Sequence, residues 1–310
     1  MNHSALATSF ILVASALLSS CDGANQANAG AKPEAISVLG DPLFAMENPD
    51  EDLLLNLAKA KAEFDAAPTS EEAAIWYGRR LGYLDRYQQA IDVYSTALER
   101  HPDNPKLLRH RGHRYLTTRK FIDAIRDLSR AAELTDALED EIELDGIPNA
   151  RNEPRSTLKF NIWYHLGLAY FFNGDFIQAQ SAFHESYSIS KRNGDLLCAA
   201  SNWLYITTSR LGLDQDAELL LDDITLELDI VENEDYQHLL LFYRGFFTLE
   251  EVMDVSDPLK RATRGFGVAH FLMMHDEQDR ASDLLLEVVD AGNWTAFGSI
   301  AAEVELSRLE

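Results

Sequence analysis

Six of the 27 lysines and arginines of this 310-residue chain fall in one stretch, Lys106–Lys120 (KLLRHRGHRYLTTRK). They are Lys106, Arg109, Arg111, Arg114, Arg119 and Lys120, and His110 and His113 stand among them. The chain as a whole has 51 acids and a net charge of -24. Guanidinium groups present a fork of donors that matches carboxylates and phosphates, so the chemistry offered here is anion binding. The same cations could instead pair with acids of neighbouring helices, at small value for each exposed pair. Both uses fit the residue types. Histidine offers less. His110 and His113 are three apart and can share a helix face, but no third ligand at metal spacing lies nearby. His270 and His275 are five apart and diverge on a helix. Asp214, Asp216 and Glu218 alternate like part of a calcium loop, yet the glycine turn and closing glutamate are missing, so a solvated acidic face is expected. Phosphate loop, nucleophile elbow and HExxH motif are all missing. A non-enzyme with no cofactor, metal or catalytic residue is the expectation, although catalysis assembled from distant residues leaves no local motif.

Composition sets the outer bounds. Hydrophobic residues make up 46% and mean hydropathy is -0.21, which suits a soluble mature chain. The charge balance excludes a uniformly basic nucleic-acid surface and repels anionic lipid. Two cysteines, Cys21 and Cys198, cannot make a disulfide framework. Cys198 sits among Leu197, Ala199 and Ala200 and reads as a buried, inert thiol.

Cys21 has a different setting. Ala5–Leu18 is a short apolar run of signal-peptide length that ends in Leu18-Ser19-Ser20-Cys21. This resembles the bacterial lipobox, which implies a signal peptide over residues 1–20 and lipid on Cys21. The departure is an n-region without Lys or Arg. The resemblance implies a periplasm-facing, lipid-anchored protein of the bacterial envelope, with Asp22 favouring the inner membrane over the outer. Residues 21–45, rich in Ala, Gly and Asn, read as a flexible tether. Asn48-Pro49 reads as a helix start, with Leu53, Leu54, Leu57, Ala60 and Phe64 at helical spacing after it.

The elements that must position the basic stretch show a repeat. Trp163, Leu166, Gly167 and Tyr170 share one helix face, Asn173-Gly174 breaks the helix, and Ala179 and Phe183 share the next face. Upstream, Tyr77, Gly78 and Leu81 precede Ala90, Tyr94, Ala97 and Pro102. From Ala90 to Ala124 is 34 residues, and the copy there has Gly112, Tyr115, Leu128 and Ala131. Weaker copies carry Leu204, Ala217, Leu221 and Ile224, then Val268, Ala269, Leu272, Ala281, Leu285 and Val288. The pattern and its 34-residue period resemble the tetratricopeptide repeat family. GIPNARNEP, NIWYHLGLAYFF and NWTAFGSIAAE further resemble segments of a bacterial tetratricopeptide lipoprotein group to which no activity attaches. The implied fold is all-α: a right-handed superhelical solenoid over residues 46–310, with an N-terminal helix and a capping helix over Ser299–Leu309. Repeats are expected near residues 71–104, 105–138, 160–193, 198–231 and 262–295. An insertion near residues 139–157 breaks the period, and its acids either fold back on the basic stretch or form a solvated loop.

In that family the first helix of each hairpin lines a concave groove. The resemblance places Arg79, Lys106, Arg109, His113, Asn161, Tyr164, Leu168, Phe171, Phe172, Asn202 and Arg210 there. Ile75 and Arg79 stand where a carboxylate clamp for chaperone tails would need Lys and Asn. The implied function is non-catalytic binding of a protein or peptide in the groove, with no nucleic-acid partner and no membrane contact beyond the lipid. The competing class is a hydrolase or binding protein for an anionic small molecule, such as a cell-wall fragment, using Arg79, Arg109 and His113.

Overall fold

The computed structural model describes residues 31–309; the expected signal peptide over residues 1–20, Cys21 and Asp22 lie outside the described residues. Residues from Pro33 onward make one compact unit. After a short hairpin, β1 (Ala35–Ile36) and β2 (Pro42–Leu43), the described chain is helical. Helix α1 (Glu51–Ala66) leads into three long hairpins. These are α2 (Glu71–Gly82) with α3 (Tyr87–Arg100), α4 (Pro105–Thr117) with α5 (Phe121–Thr135), and α6 (Leu158–Asn173) with α7 (Phe176–Ser190). A fourth pairs α8 (Gly194–Arg210) with the short α9 (Asp214–Leu219). Then come α10 (Glu234–Tyr243), α11 (Leu249–Met253), a last hairpin of α12 (Pro258–Met274) and α13 (Gln278–Asp290), and α14 (Phe297–Leu309).

Five turns inside the hairpins repeat one backbone device, which recurs after α10 at Gly245. Asp85, Arg119, Gly174, Gly212 and Asp276 each take a positive φ. The residue after each donates its N–H to a carbonyl five residues back: Arg86 to Leu81, Lys120 to Tyr115, Asp175 to Tyr170, Leu213 to Thr208 and Glu277 to Leu272. This bond closes a helix tightly and frees the chain to reverse. Each positive-φ residue lies five positions before a buried alanine, namely Ala90, Ala124, Ala179, Ala217 and Ala281. The two sequence-degenerate copies therefore fold as the clear ones do. Helix starts are capped by Ser70, Asn104, Thr157, Asn193 and Asp257, whose side chains accept a backbone N–H three residues on.

Within the clear hairpins a first-helix glycine lies under a large second-helix side chain: Gly78 under Tyr94, Gly112 under Leu128, Gly167 under Phe183. A Cβ at Gly167 would stand 2.5 Å from the Phe183 ring. Helices α2, α4, α6 and α8 pack side by side along one face, the concave side of the repeat.

Several expectations need correction. Helix α1 starts after Asp50 rather than Asn48. Residues 33–45, expected as part of a flexible tether, are docked: Gln88 N–H donates to Glu34, Val38 N–H to Glu303, and the Trp294 indole to the Phe44 carbonyl. The insertion folds back on the basic stretch through Glu141 and Glu143, while Ile142, Leu144 and Ile147 stay exposed. Finally, α14 is no outer cap, because Gly298 through Leu306 are all buried. A helix apolar on every side belongs inside.

Candidate functional site

The concave face is filled by the chain itself. Its C-terminal half receives α14. Phe297 packs against His113, His165, Tyr164 and Phe172 with ring centroids 5.5–6.5 Å apart. Two glutamates on α14 meet arginines. Glu303 takes Arg119, with side chains 3% and 5% exposed, and Glu305 takes Arg210 at 2.7 Å and Arg308 at 2.6 Å. Arg119 also donates to the Trp294 carbonyl, and its guanidinium lies over the Trp294 ring.

The middle of the face receives the insertion. Ile142 pairs antiparallel with Thr157. Glu143 reaches Arg109 at 3.0 Å and also accepts from Asn161, while Glu141 takes Lys106 at 2.8 Å. Gly146 presses on the Tyr83 ring, and its carbonyl accepts from Arg80 at 2.7 Å. The far end is held by Arg155, which pairs with Asp195 and Asp229. Asp195 is fully buried and accepts the N–H groups of Val231, Glu232 and Asn233.

Most of the residues assigned to a partner-binding groove are therefore interior. Arg109, Asn161, Tyr164, Leu168, Phe171, Phe172 and Asn202 are buried, so in this arrangement they do not face a partner. Lys106 and Arg210 already hold glutamates. His113 stacks on His165 with centroids 4.2 Å apart. The resemblance placed these side chains on the right face, but that face is occupied from within.

Burial sets the electrostatics. His110, His113 and His165 are pushed well below the usual histidine range by desolvation, and arginine charges add to this. Arg109 donates to His110 Nδ1 at 3.0 Å, and His165 shares a hydrogen bond with the Asn161 carbonyl. They are neutral core histidines, and among the described residues no group of three or more His, Cys, Asp or Glu could hold a metal ion. Ser209 Oγ lies 2.9 Å from His270 Nε2, but His270 Nδ1 has no partner and burial drops the ring to about 3. A base needs an orienting group and a pKa near neutrality, and His270 has neither. Cys198 is fully buried and its thiol is raised to about 12 by desolvation.

One part of the groove stays open. A cavity of about 340 Å³ lies between α2 and the insertion, lined by Ile75, Trp76 and Arg79 on one side and by Glu141, Ile142 and Leu144 on the other. Arg79 lies over the Trp76 ring at 4.7 Å. Its hydrogen bond goes to the Tyr83 hydroxyl at 3.4 Å, and no carboxylate among the described residues reaches salt-bridge distance of it. Its charge is still felt by Asp145, a carboxyl that burial raises and that keeps one oxygen unpartnered. The sequence singled out Arg79 but not Trp76 beside it.

The fold is a tetratricopeptide-like helical repeat. That assignment rests on the five equivalent turns and the three glycine contacts. No family model matches the chain, and no curated protein matches it. Among solved structures, a tetratricopeptide repeat protein from Parabacteroides merdae is 15% identical, over 82% of this chain and 93% of its own, with a TM-score of 0.47. YrrB, described as a TPR protein with an unusual peptide-binding site, is 12% identical over 75% of this chain and 91% of its own, with a TM-score of 0.41. A chain of the Naa15/Naa10 complex bound to HypK-THB is 15% identical over 77% of this chain and 34% of its own, with a TM-score of 0.36. At such scores the likeness carries no functional argument. No described helix is long and apolar enough to cross a membrane.

Proposed function

We propose that this chain is a non-catalytic scaffold that holds a protein or peptide at the open end of its concave face, beside Arg79 and Trp76. The observation that carries this reading is the state of the groove cations. Lys106, Arg109 and Arg210 each hold a glutamate, whereas Arg79 lines a cavity without a carboxylate partner, next to apolar and aromatic surface. Arginine and tryptophan side chains recur among the residues that dominate binding energy. The repeat architecture supports the same reading, since stacked hairpins make extended concave surfaces.

The test is site-specific photo-cross-linking in the native host. A photoreactive residue in place of Glu72, which lines the cavity, should capture a polypeptide. The same residue in place of the exposed Ile122 on α5 should not. Arg79→Ala should abolish the adduct. An adduct that survives Arg79→Ala would contradict the assignment. The cavity size also suits a small carboxylate, which keeps an anion-binding role as a second reading. A small anion co-purifying with the parent and absent from Arg79→Ala, without any polypeptide adduct, would favour that reading.

The proposed location is the bacterial envelope, through lipid on Cys21, supported by the apolar run and Leu18-Ser19-Ser20-Cys21. Cys21→Ser should leave an uncleaved precursor or release a soluble protein, and unchanged processing and detergent partitioning would refute the tether.

A further inference from the structure

We propose that residues 141–144 form a docking edge, to which an extended peptide carrying a carboxylate adds as a β-strand. The proposal rests on the reading of the Arg79 cavity as the partner site and states how the partner is held.

The segment is strand-like on one side only. Glu143 N–H donates to the Ser156 carbonyl and Leu158 N–H to the Glu141 carbonyl. Odd-numbered backbone groups are thus used toward the 156–158 segment. In an extended chain, neighbouring residues turn their N–H and C=O to opposite edges. The groups of Ile142 and Leu144 therefore point away from that segment, and none of them has a hydrogen-bond partner among the described residues. Residues 156–158 run into α6, and Ile142 and Leu144 line the cavity that α2 bounds.

The edge is also held in place. Glu141 and Glu143 are tied to α4 through Lys106 and Arg109, and Gly146 is tied to Arg80. An ordered edge spares a ligand the cost of ordering its receptor. Proteins usually blunt an open edge with charge, proline or a bulge. Here the two residues that own the free groups are Ile142 and Leu144, with 65% and 59% of their surfaces exposed. Their side chains, with Ile75 and Trp76 opposite, make apolar walls. Arg79 adds a cation without a salt bridge within the same cavity, which Glu71, Glu72, Glu141 and Glu143 also line; Glu72 has no salt bridge among the described residues. The fitting occupant is an extended segment with apolar side chains at alternate positions and a carboxylate, from an acidic side chain or a C-terminus, that reaches Arg79. Strand addition supplies backbone bonds, and the alternating pockets supply selectivity.

The test uses a display library of short peptides, selected against the purified full chain. Selected peptides should share an acidic group and apolar residues two positions apart. Amidating the C-terminus tells a terminal carboxylate from an acidic side chain. Single N-methyl groups are then walked through the best peptide. Each methyl that blocks an edge bond should weaken binding about tenfold, and its neighbours should have little effect, giving a period of two. Arg79→Ala should weaken the same peptide, and Leu144→Pro, which removes an edge N–H, should do so as well. A peptide that needs Arg79 but shows no two-residue period would overturn the strand mode and leave the site standing. Failure to select any Arg79-dependent peptide would overturn both. If the full chain is a dimer that Leu144→Lys dissociates, the edge belongs to a second copy and the peptide proposal is wrong.

Discussion

The contact between Arg119 and Glu303 joins three distant parts of the chain, so its removal has a calculable effect. The two side chains are 5% and 3% exposed. Glu303 also accepts the N–H of Val38 from the N-terminal hairpin. Arg119→Met would leave a buried carboxylate with that one neutral donor. Losing one member of a buried pair costs about 3–5 kcal/mol, against a total stability of about 5–15 kcal/mol for a domain. The reverse change, Glu303→Gln, should cost less. Arg119 would keep the Trp294 and Thr117 carbonyls and its place over the Trp294 ring. We expect about 1–3 kcal/mol there, the value of a charged hydrogen bond and its desolvated partner. Replacing both residues by Met should recover most of the loss, short of the orphaned Val38 N–H, because a well-packed apolar pair often equals a buried ion pair. Urea unfolding of the four proteins gives each number, and adding Glu303→Met closes the cycle that gives the coupling between the sites. If Arg119→Met lies within about 1 kcal/mol of the parent, α14 is not seated in the groove as described.

Three other outcomes follow from the packing. Gly167→Ala should destabilise by about 1–3 kcal/mol, since its methyl would meet the fully buried Phe183 ring at 2.5 Å, and Phe183→Leu in the same chain should recover part of this; an unaltered urea midpoint would refute the contact. His110, His113, His165 and His270 all have folded pKa values below the ordinary value near 6.5, His270 at about 3. The unfolded chain then binds protons that the folded one refuses. Their contribution is complete above about pH 6.5 and is lost as pH falls below it, by up to about 1.4 kcal/mol per pH unit for each histidine. Unfolding free energies measured from pH 7.5 downward should show this slope, and His270→Gln should flatten it. Cys198 in the native chain should resist thiol reagents at pH 8 and react only as the fold opens, because its thiol is buried and raised to about 12; fast native labelling would place α8 at the surface.

What the sequence revealed follows the range of the interactions. Gly167 with Phe183, or Ala124 five residues after Arg119, are contacts inside one hairpin, and a periodic reading finds them. The five turns share their geometry because each needs the same reversal, even where Asp or Arg takes the place of glycine. Arg210 was legible as a cation on a first helix of a hairpin, and Arg119 only as part of the basic stretch. Their partners were not. Glu303 is 184 residues from Arg119, and Glu305 is 95 from Arg210, separations that no local pattern spans. The helix holding them reads FGSIAAEVEL, with no polar face apart from two glutamates. Taken at its period, it would have been called buried rather than a cap. The acids of the insertion could be read either way until Gly146 was seen against Tyr83. Trp76 stands in an apolar run of α2, and only the fold shows the cavity beside it.

The claim that the partner binds beside Arg79, with α14 remaining in the groove, is tested most directly by hydrogen exchange of the full chain with and without an Arg79-dependent peptide. The account predicts slower exchange in residues 141–146 and along α2, with the amides of α14 unchanged. Faster exchange throughout α14 on binding would contradict it, for the partner would then displace α14 and occupy the groove itself.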